Sequence, residues 1–507
     1  MGKETAPSNL DADLEAGVGL DAAQEEQASQ VAAGLEAHAA QHETTVAAGD
    51  VPGVNHAAMS QATEADGAAG AQATASEQAM GPGTVAAPGL DATRDARNHK
   101  EFTDREKARA TATAARDKAR AGGKDWTAEE LADVLKKDGA QGVLVALNDR
   151  KTKQGVETLK TANQWDPLVT ALPIGGMGAA SCTALDQMIA DNVFAIEDAK
   201  KLFHPRFGHV AQDVGSRWTQ DVMRTMWRQL AVLPASDVTK STAITTFDAI
   251  AGGGAFGPSW EAPSVINTVQ IGQDIGGDHE RLEHTVRHEI GHGVHTEIPG
   301  PVNAWLQNDM QFWFTDFDTW INDLGGYPAS FVNSAGTTVT IDDAWKGYLR
   351  ALVEGFTGSS SWDPARVTPD AGAPVDGQLA WAAMPAAIKN ACAQSKSYWY
   401  SNYSNFQKVG DKRYFLNHWY HRPFTIGATA FATIPSTNDD YTAMSEKEFF
   451  ANCYAEYFEN PEGVTDHSKW GGTLPASVKS FFDTCIVGRH PYDQFQKKKT
   501  ANKGNTP

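Results

Sequence analysis

From Met1 to Thr93 the sequence has no Phe, Tyr or Trp, and Lys3 is its only Lys or Arg. A segment built mainly of Ala, Gly, Glu, Gln, Asp and Thr cannot bury enough apolar surface to offset the entropy of ordering it. Residues 1–93 are therefore expected to form a disordered acidic leader. Cysteine is scarce too: Cys182, Cys392, Cys453 and Cys485 are far apart and form no CxxC pair. That excludes a disulfide framework, a zinc ribbon and a dithiol redox motif. No run approaches the roughly 18 apolar residues of a membrane span, and the N-terminus lacks the charged, apolar and small-residue succession of a signal peptide. The expectation is a chain made in the cytoplasm without a Sec signal and with no membrane span. Lipidation is excluded as well, because Ala6 stands where a myristoylation motif wants Ser or Thr.

Positive charge is the last shortage. The formal net charge is -20, which argues against a nucleic-acid partner, since counterion release needs clustered Lys and Arg. Basic residues gather between Arg94 and Lys124 and again at Lys497, Lys498 and Lys499. Both runs read as solvated helix or tail.

Nearly all of the 14 Trp, 21 Phe and 11 Tyr follow Asp125, so the folded mass lies there. Residues 94–124 form a charged helical spacer, with few large apolar groups between Glu101 and Arg120. In residues 125–216, Leu131, Val134 and Leu135, then Val143, Leu144 and Leu147, then Leu185, Met188 and Ile189 recur at helical spacing. They predict a small helical domain. Residues 217–490 open with another helix carrying Val222, Met226, Leu230 and Leu233, closed by Pro234. Two β-prone runs follow, Ala243 to Ile250 and Ser264 to Ile271, separated by the glycine-rich Ala251 to Pro258. Between about 300 and 439 the chain is long and aromatic, with Trp305, Trp313, Trp320, Trp362, Trp381, Trp399 and Trp419. A packed helical insertion with its own core explains them better than a carbohydrate platform. Residues 491–507 are a basic tail.

The chemistry lies in the helix that runs from Asp278 to His295. It carries His288-Glu289-Ile290-Gly291-His292. Histidines four apart project from one face and can reach a single ion, while Glu289, about 100° round the helix, lies near a metal-bound water and off the metal. A lone HExxH arises by chance often enough that a second signal is required. The distal segment from Tyr441 to Phe458 supplies it, with Glu448-Phe449-Phe450-Ala451 preceded seven residues earlier by Tyr441.

With these two segments the chain resembles the gluzincin zinc metallopeptidases, most closely the group that includes the peptidase domain of anthrax lethal factor and related bacterial toxin and effector domains. The resemblance covers roughly Arg217 to His490 in pattern, and its specificity rests on His288 to His292 and on Tyr441 to Ala451. It implies an α+β, mainly helical fold with a small mixed sheet over the HExxH helix. It implies one Zn²⁺ per chain held by His288, His292 and Glu448, with Glu289 as catalytic base and Tyr441 as the donor to the developing oxyanion. Asn452 departs from the group, which has a second glutamate there, so that carboxylate's role is lost or moved to Glu456. Glu456 lies two turns beyond Glu448, and one ion cannot take both; it remains the alternative ligand. A metzincin would need a histidine six residues after His292, where Ile298 stands. His284 and His295 are expected to be solvated or to lie outside the ligand set, and Cys453 to be a small core residue.

The implied function is peptide-bond hydrolysis by a metal-activated water, with a protein or peptide as substrate and Ser264 to Ile271 as the strand along which it extends. Zincins of the toxin type are often cargo, so the leader is read as an address for a secretion or injection apparatus that delivers the enzyme to a target cell or the extracellular space. The other function classes are a passenger or structural component of a contractile, phage-tail-like delivery machine and a housekeeping intracellular peptidase.

Overall fold

The computed structural model of the chain describes residues 92–251, 253–257, 267–273, 278–358, 376–394, 407–410, 412–417, 422–433, 445–459, 470–471 and 474–504. The expected leader falls almost wholly outside them. Within them helix predominates and the sheets are small, one of them mixed, which is the α+β class. No helix among the described residues is long and apolar enough to cross a membrane.

Helix α1 (Ala92–Ala121) fills the span of the expected spacer. Lys100, Lys107 and Lys118 are exposed as expected, but the arginines Arg105, Arg109, Arg116 and Arg120 are not. Arg116 and Arg120 converge on Asp191, with Arg120 Nη1 2.6 Å from Oδ2, and both Arg120 and Asp191 are buried. A buried carboxylate requires such a partner, and the planar guanidinium satisfies it at several atoms at once.

Helices α2 (Ala128–Asp149), α3 (Thr152–Thr161), α4 (Trp165–Thr170), α5 (Ala179–Ala190) and α6 (Ile196–Phe207) follow. Thr127 starts α2 through a capping box with Glu130. Leu131, Val143, Leu144, Leu147, Leu185, Met188 and Ile189 are buried, as their spacing predicts. The expected boundary at 216/217, however, is not a break in the core. One buried cluster runs from Trp126 to Phe495, and Phe203 of α6 sits 5.6 Å from Trp227 and 5.2 Å from Phe247.

The first sheet begins before that boundary, with β1 (Val210–Ala211). After α7 (Gln220–Val232) come β2 (Thr246–Ile250), β3 (Gly254–Gly257) and β4 (Thr268–Gly272). The order is β1-β2-β4-β3; β1, β2 and β4 are parallel, and β3 runs antiparallel to β4, with Phe256 opposite Val269. Every residue of β2 and β4 is buried, which is why both read as β-prone runs. The glycine-rich stretch expected to be a separator contains β3. Among the described residues β4 is therefore interior to the sheet and β3 an edge strand.

Helix α8 (His279–Glu297) packs beneath this sheet. Asp278 Oδ1 accepts from Arg281 N at 3.0 Å and caps it. Leu282, Val286, Ile290 and Val294 form a fully buried stripe, each stabilising the fold by roughly 1.5–3 kcal/mol. Helix α9 (Pro299–Asn308) begins directly afterwards, and its Trp305 stacks on Phe481 at 4.4 Å. Trp305 therefore belongs to the main core and not to the insertion.

The insertion's own core is present among the described residues, built from Trp320, Phe331, Leu349, Trp381, Ile388 and Tyr414 with their neighbours. It comprises β5 (Trp313–Phe314), α10 (Phe317–Asp323), the hairpin of β6 (Ser330–Val332) and β7 (Thr338–Thr340), and helices α11 (Asp343–Gly358), α12 (Gly377–Ala382) and α13 (Ala386–Gln394). Strands β8 (Gln407–Val409), β9 (Lys412–Asn417) and β10 (Arg422–Ile426) join β5 in an antiparallel sheet ordered β5-β10-β9-β8. Trp362, Trp399 and Trp419 lie outside the described residues.

The chain returns through α14 (Ala428–Thr433) to α15 (Glu446–Tyr457), which lies against α8. Then α16 (Ala476–Phe481), a π-helical turn (Phe482–Val487) and α17 (Tyr492–Gly504) close it. The basic tail is in fact a docked helix: Phe495 is buried, and Lys499 and Tyr492 both reach Asp309.

Candidate metal centre

Two helices and one strand build the site. Helices α8 and α15 cross with their backbones nearly touching, because a Cβ on Gly291 would lie 2.9 Å from Ala451 Cα. Only glycine permits that approach. Ser445 Oγ accepts from Glu448 N at 3.1 Å, which caps α15 and sets Glu448 in its first turn, where the helix dipole favours a carboxylate.

His288, His292 and Glu448 meet at this crossing. His288 Nε2 is 2.9 Å from Glu448 Oε2, His292 Nε2 is 3.1 Å from His288 Nε2, and His292 Nε2 is 3.3 Å from Glu448 Oε2. Burial disfavours a charged His288, but the hydrogen bond and charge of Glu448 outweigh it and raise its pKa. Burial likewise works against an ionised Glu448, yet the charges and hydrogen bonds of His292 and His288 hold its carboxyl far below the usual range. The three donor atoms fit one ion: tetrahedral ligands at about 2.0–2.1 Å from zinc stand roughly 3.3 Å apart. The trio could hold a metal ion.

Glu289 lies beside them on α8. Its Oε2 is buried without a hydrogen-bond partner among the described residues, and burial raises its pKa. Edge strand β3 forms the wall next to it, since a Cβ on Gly254 would lie 2.6 Å from Glu289 Oε1 and 2.5 Å from Thr285 Cγ2. A side chain there would displace the carboxylate. Of the expected substrate run, Ser264 to Ile271, the described part is β4, interior to the sheet among the described residues, while Gly254 of β3 is the strand residue beside Glu289.

Four of the five residues singled out in the sequence, His288, Glu289, His292 and Glu448, are thus brought together, and Tyr441 lies outside the described residues. Glu456 is buried further along α15, outside the trio. His295 packs at 5.3 Å on Phe450, pairs with Asn303 at 2.8 Å, and is held neutral by burial, with its pKa lowered to about 4. Cys453 is buried. Two participants were not legible in the sequence. Asn452 Oδ1 lies 3.1 Å from His288 Nδ1 and 3.0 Å from His284 Nε2. Gly254 sat in what looked like a loop.

Comparison of the chain with protein-family models, with curated proteins and with solved structures found no match.

Proposed function

We propose that this protein is a zinc-dependent endopeptidase in which His288, His292 and Glu448 hold one Zn²⁺ and Glu289 is the general base. The observation that carries the reading is the convergence of three metal-ligating atoms, within 2.9–3.3 Å of one another, beside a buried carboxylate whose Oε2 has no hydrogen-bond partner among the described residues. Zinc in such a site supplies an acidified water and a Lewis acid for the scissile carbonyl. Glu289, its proton affinity raised by burial, takes the attacking water's proton and passes it to the leaving amine. The substrate extends along edge strand β3 by backbone pairing, and Tyr441 donates to the developing oxyanion, as in the gluzincins that the chain resembles. Its place as a toxin-like or effector cargo, addressed by residues 1–93, belongs to the same proposal.

Metal analysis and cleavage profiling of a peptide library test it together. Wild type should carry one zinc per chain and hydrolyse peptides. His288→Ala and His292→Ala should lose the metal, and Glu289→Gln should keep it while turnover falls roughly 100- to 10,000-fold. Full zinc in both histidine variants would move the site elsewhere, and zinc loss in Glu289→Gln would make that residue a ligand.

A further inference from the structure

Glycine weakens a strand, because it loses more entropy on folding and packs nothing, so a glycine inside one marks a constraint. Strand β3 has glycine at both ends. Gly257, with φ of +154°, adopts a backbone that other residues rarely do. Gly254 lies outside the positive-φ region, so its backbone would accept a side chain. What forbids one there is space.

A Cβ on Gly254 would point at α8 and come 2.5 Å from Thr285 Cγ2, 2.6 Å from Glu289 Oε1 and 3.2 Å from Glu289 Cδ. Neither neighbour yields easily. Thr285 Oγ1 donates to the Arg281 carbonyl at 2.9 Å, which fixes the rotamer and with it the methyl group. Glu289 is buried, and a close-packed interior leaves its carboxylate little room to retreat. Two residues along the same face of β3 the sizes reverse: Phe256 keeps its ring and α8 gives way, a Cβ on Gly293 lying 3.6 Å from Phe256 Cε2. The ring over Gly293 and the bare backbone over Glu289 together set how closely β3 approaches α8.

We infer that Gly254 is a positioning residue for Glu289: the bare backbone of β3 and the fixed methyl of Thr285 form a slot that confines the carboxylate beside the metal-binding trio. This role rests on Glu289 being the general base in the reading above. It separates two duties of β3. The missing side chain faces α8 and not the free edge of the strand, so backbone pairing with a substrate does not depend on it. The proton transfer does, because a catalytic group displaced by about 1 Å can cost on the order of 100-fold in turnover.

Two measurements on the full chain test the slot, and the first needs neither zinc nor turnover. Glycine to alanine in a tolerant backbone ordinarily stabilises a protein by restricting its unfolded chain. In chelated protein Gly254→Ala should instead lower the urea midpoint. The same substitution should cost less in a Glu289→Ala background, where the carboxylate is gone, and less in a Thr285→Ser background, where the hydroxyl stays and the methyl is gone. If Gly254→Ala alone does not fold by circular dichroism, one of these two backgrounds must restore folding. In the second measurement, zinc-loaded Gly254→Ala should keep its metal and a KM near that of wild type while kcat falls on the order of 100-fold, and Thr285→Ser should recover part of the loss. Equal cost with and without Glu289, no rescue of folding, or an unchanged kcat would overturn the slot. Wild type that takes up no zinc and cleaves no peptide would overturn the metal reading instead, and the stability comparison would still decide whether Gly254 confines Glu289.

Discussion

The two sides of α8 treat buried carboxylates in opposite ways. On the back, Glu283 and Glu459 are met by guanidinium groups: Arg109 Nη1 is 2.6 Å and Arg105 Nη2 3.3 Å from Glu283, and Arg287, wholly buried, pairs with Glu459 while also donating to Gln229 at 2.8 Å and to the Ala455 carbonyl at 3.1 Å. On the front, Glu448 is met by two imidazoles, and Glu289 has an oxygen with no hydrogen-bond partner among the described residues. A buried carboxylate without a compensating cation costs several kcal/mol. The back carries its own cations; the front is short of positive charge, and a divalent ion is what its donor atoms fit. One helix thus carries a self-contained ionic lock on one side and a group of donor atoms that could hold a metal ion on the other.

The contrast breaks most sharply at Glu448. If it is the third ligand, Glu448→Ala should weaken zinc binding by well over the roughly 10- to 100-fold that an outer partner is worth, whereas Glu456→Ala, two turns along α15, should stay within that range. Metal content after dialysis separates the two. The reverse order would shift the ligand position by eight residues and remove the spacing argument for Tyr441.

On the back, the effect should be on stability and not on metal. Arg287→Ala leaves Glu459 and Glu283 short of a buried partner, and breaking such a pair costs about 3–5 kcal/mol. Chemical denaturation should register that loss, while the folded fraction keeps its zinc. A variant that loses zinc with unchanged stability would show that the two sides are not separable.

What was legible in the sequence follows the range of the interactions involved. HExxH announces itself because its geometry is local, two histidines four apart on one helix, and β2 and β4 are visible because each carries β-prone residues such as Phe247, Ile250, Val269 and Ile271 within a short run. Strand β3 was hidden, since Gly254 and Gly257 look like turn residues; the reason for Gly254 is the space taken by Glu289 and Thr285, 31 or more residues away along the chain. The ionic lock was hidden for the same reason. Arg109 and Arg287 also have a carboxylate within one turn, but the partners that make the lock lie 172 to 178 residues away, Arg105 and Arg109 at Glu283 and Arg287 at Glu459, and a run of charge then reads as a solvated face. Asn452 read as a loss because the group that the chain resembles has a carboxylate there, and its contacts with the His288 and His284 rings are visible only in the fold.

The smallest effect is a dependence on pH that belongs to the back alone. Burial raises the Glu459 pKa from 4.5 to about 7, against the charges of Arg287 and Arg105 and with the help of Glu456 and Glu283. Between those two values the folded chain holds a proton on Glu459 that the unfolded chain has released. Stability from this group is therefore greatest below about 4.5 and declines as pH rises towards 7. Glu459→Gln keeps a neutral side chain of the same shape, so it should remove this decline. The difference in urea midpoint between the variant and wild type, measured on chelated protein at several pH values from 4.5 to 8, cancels titration at the front and isolates the group. The variant should gain relative to wild type as pH rises. If instead it loses ground above pH 7, the ionised Glu459 gains more from Arg287 and Arg105 than burial costs it, and the lock is strongest when every member is charged.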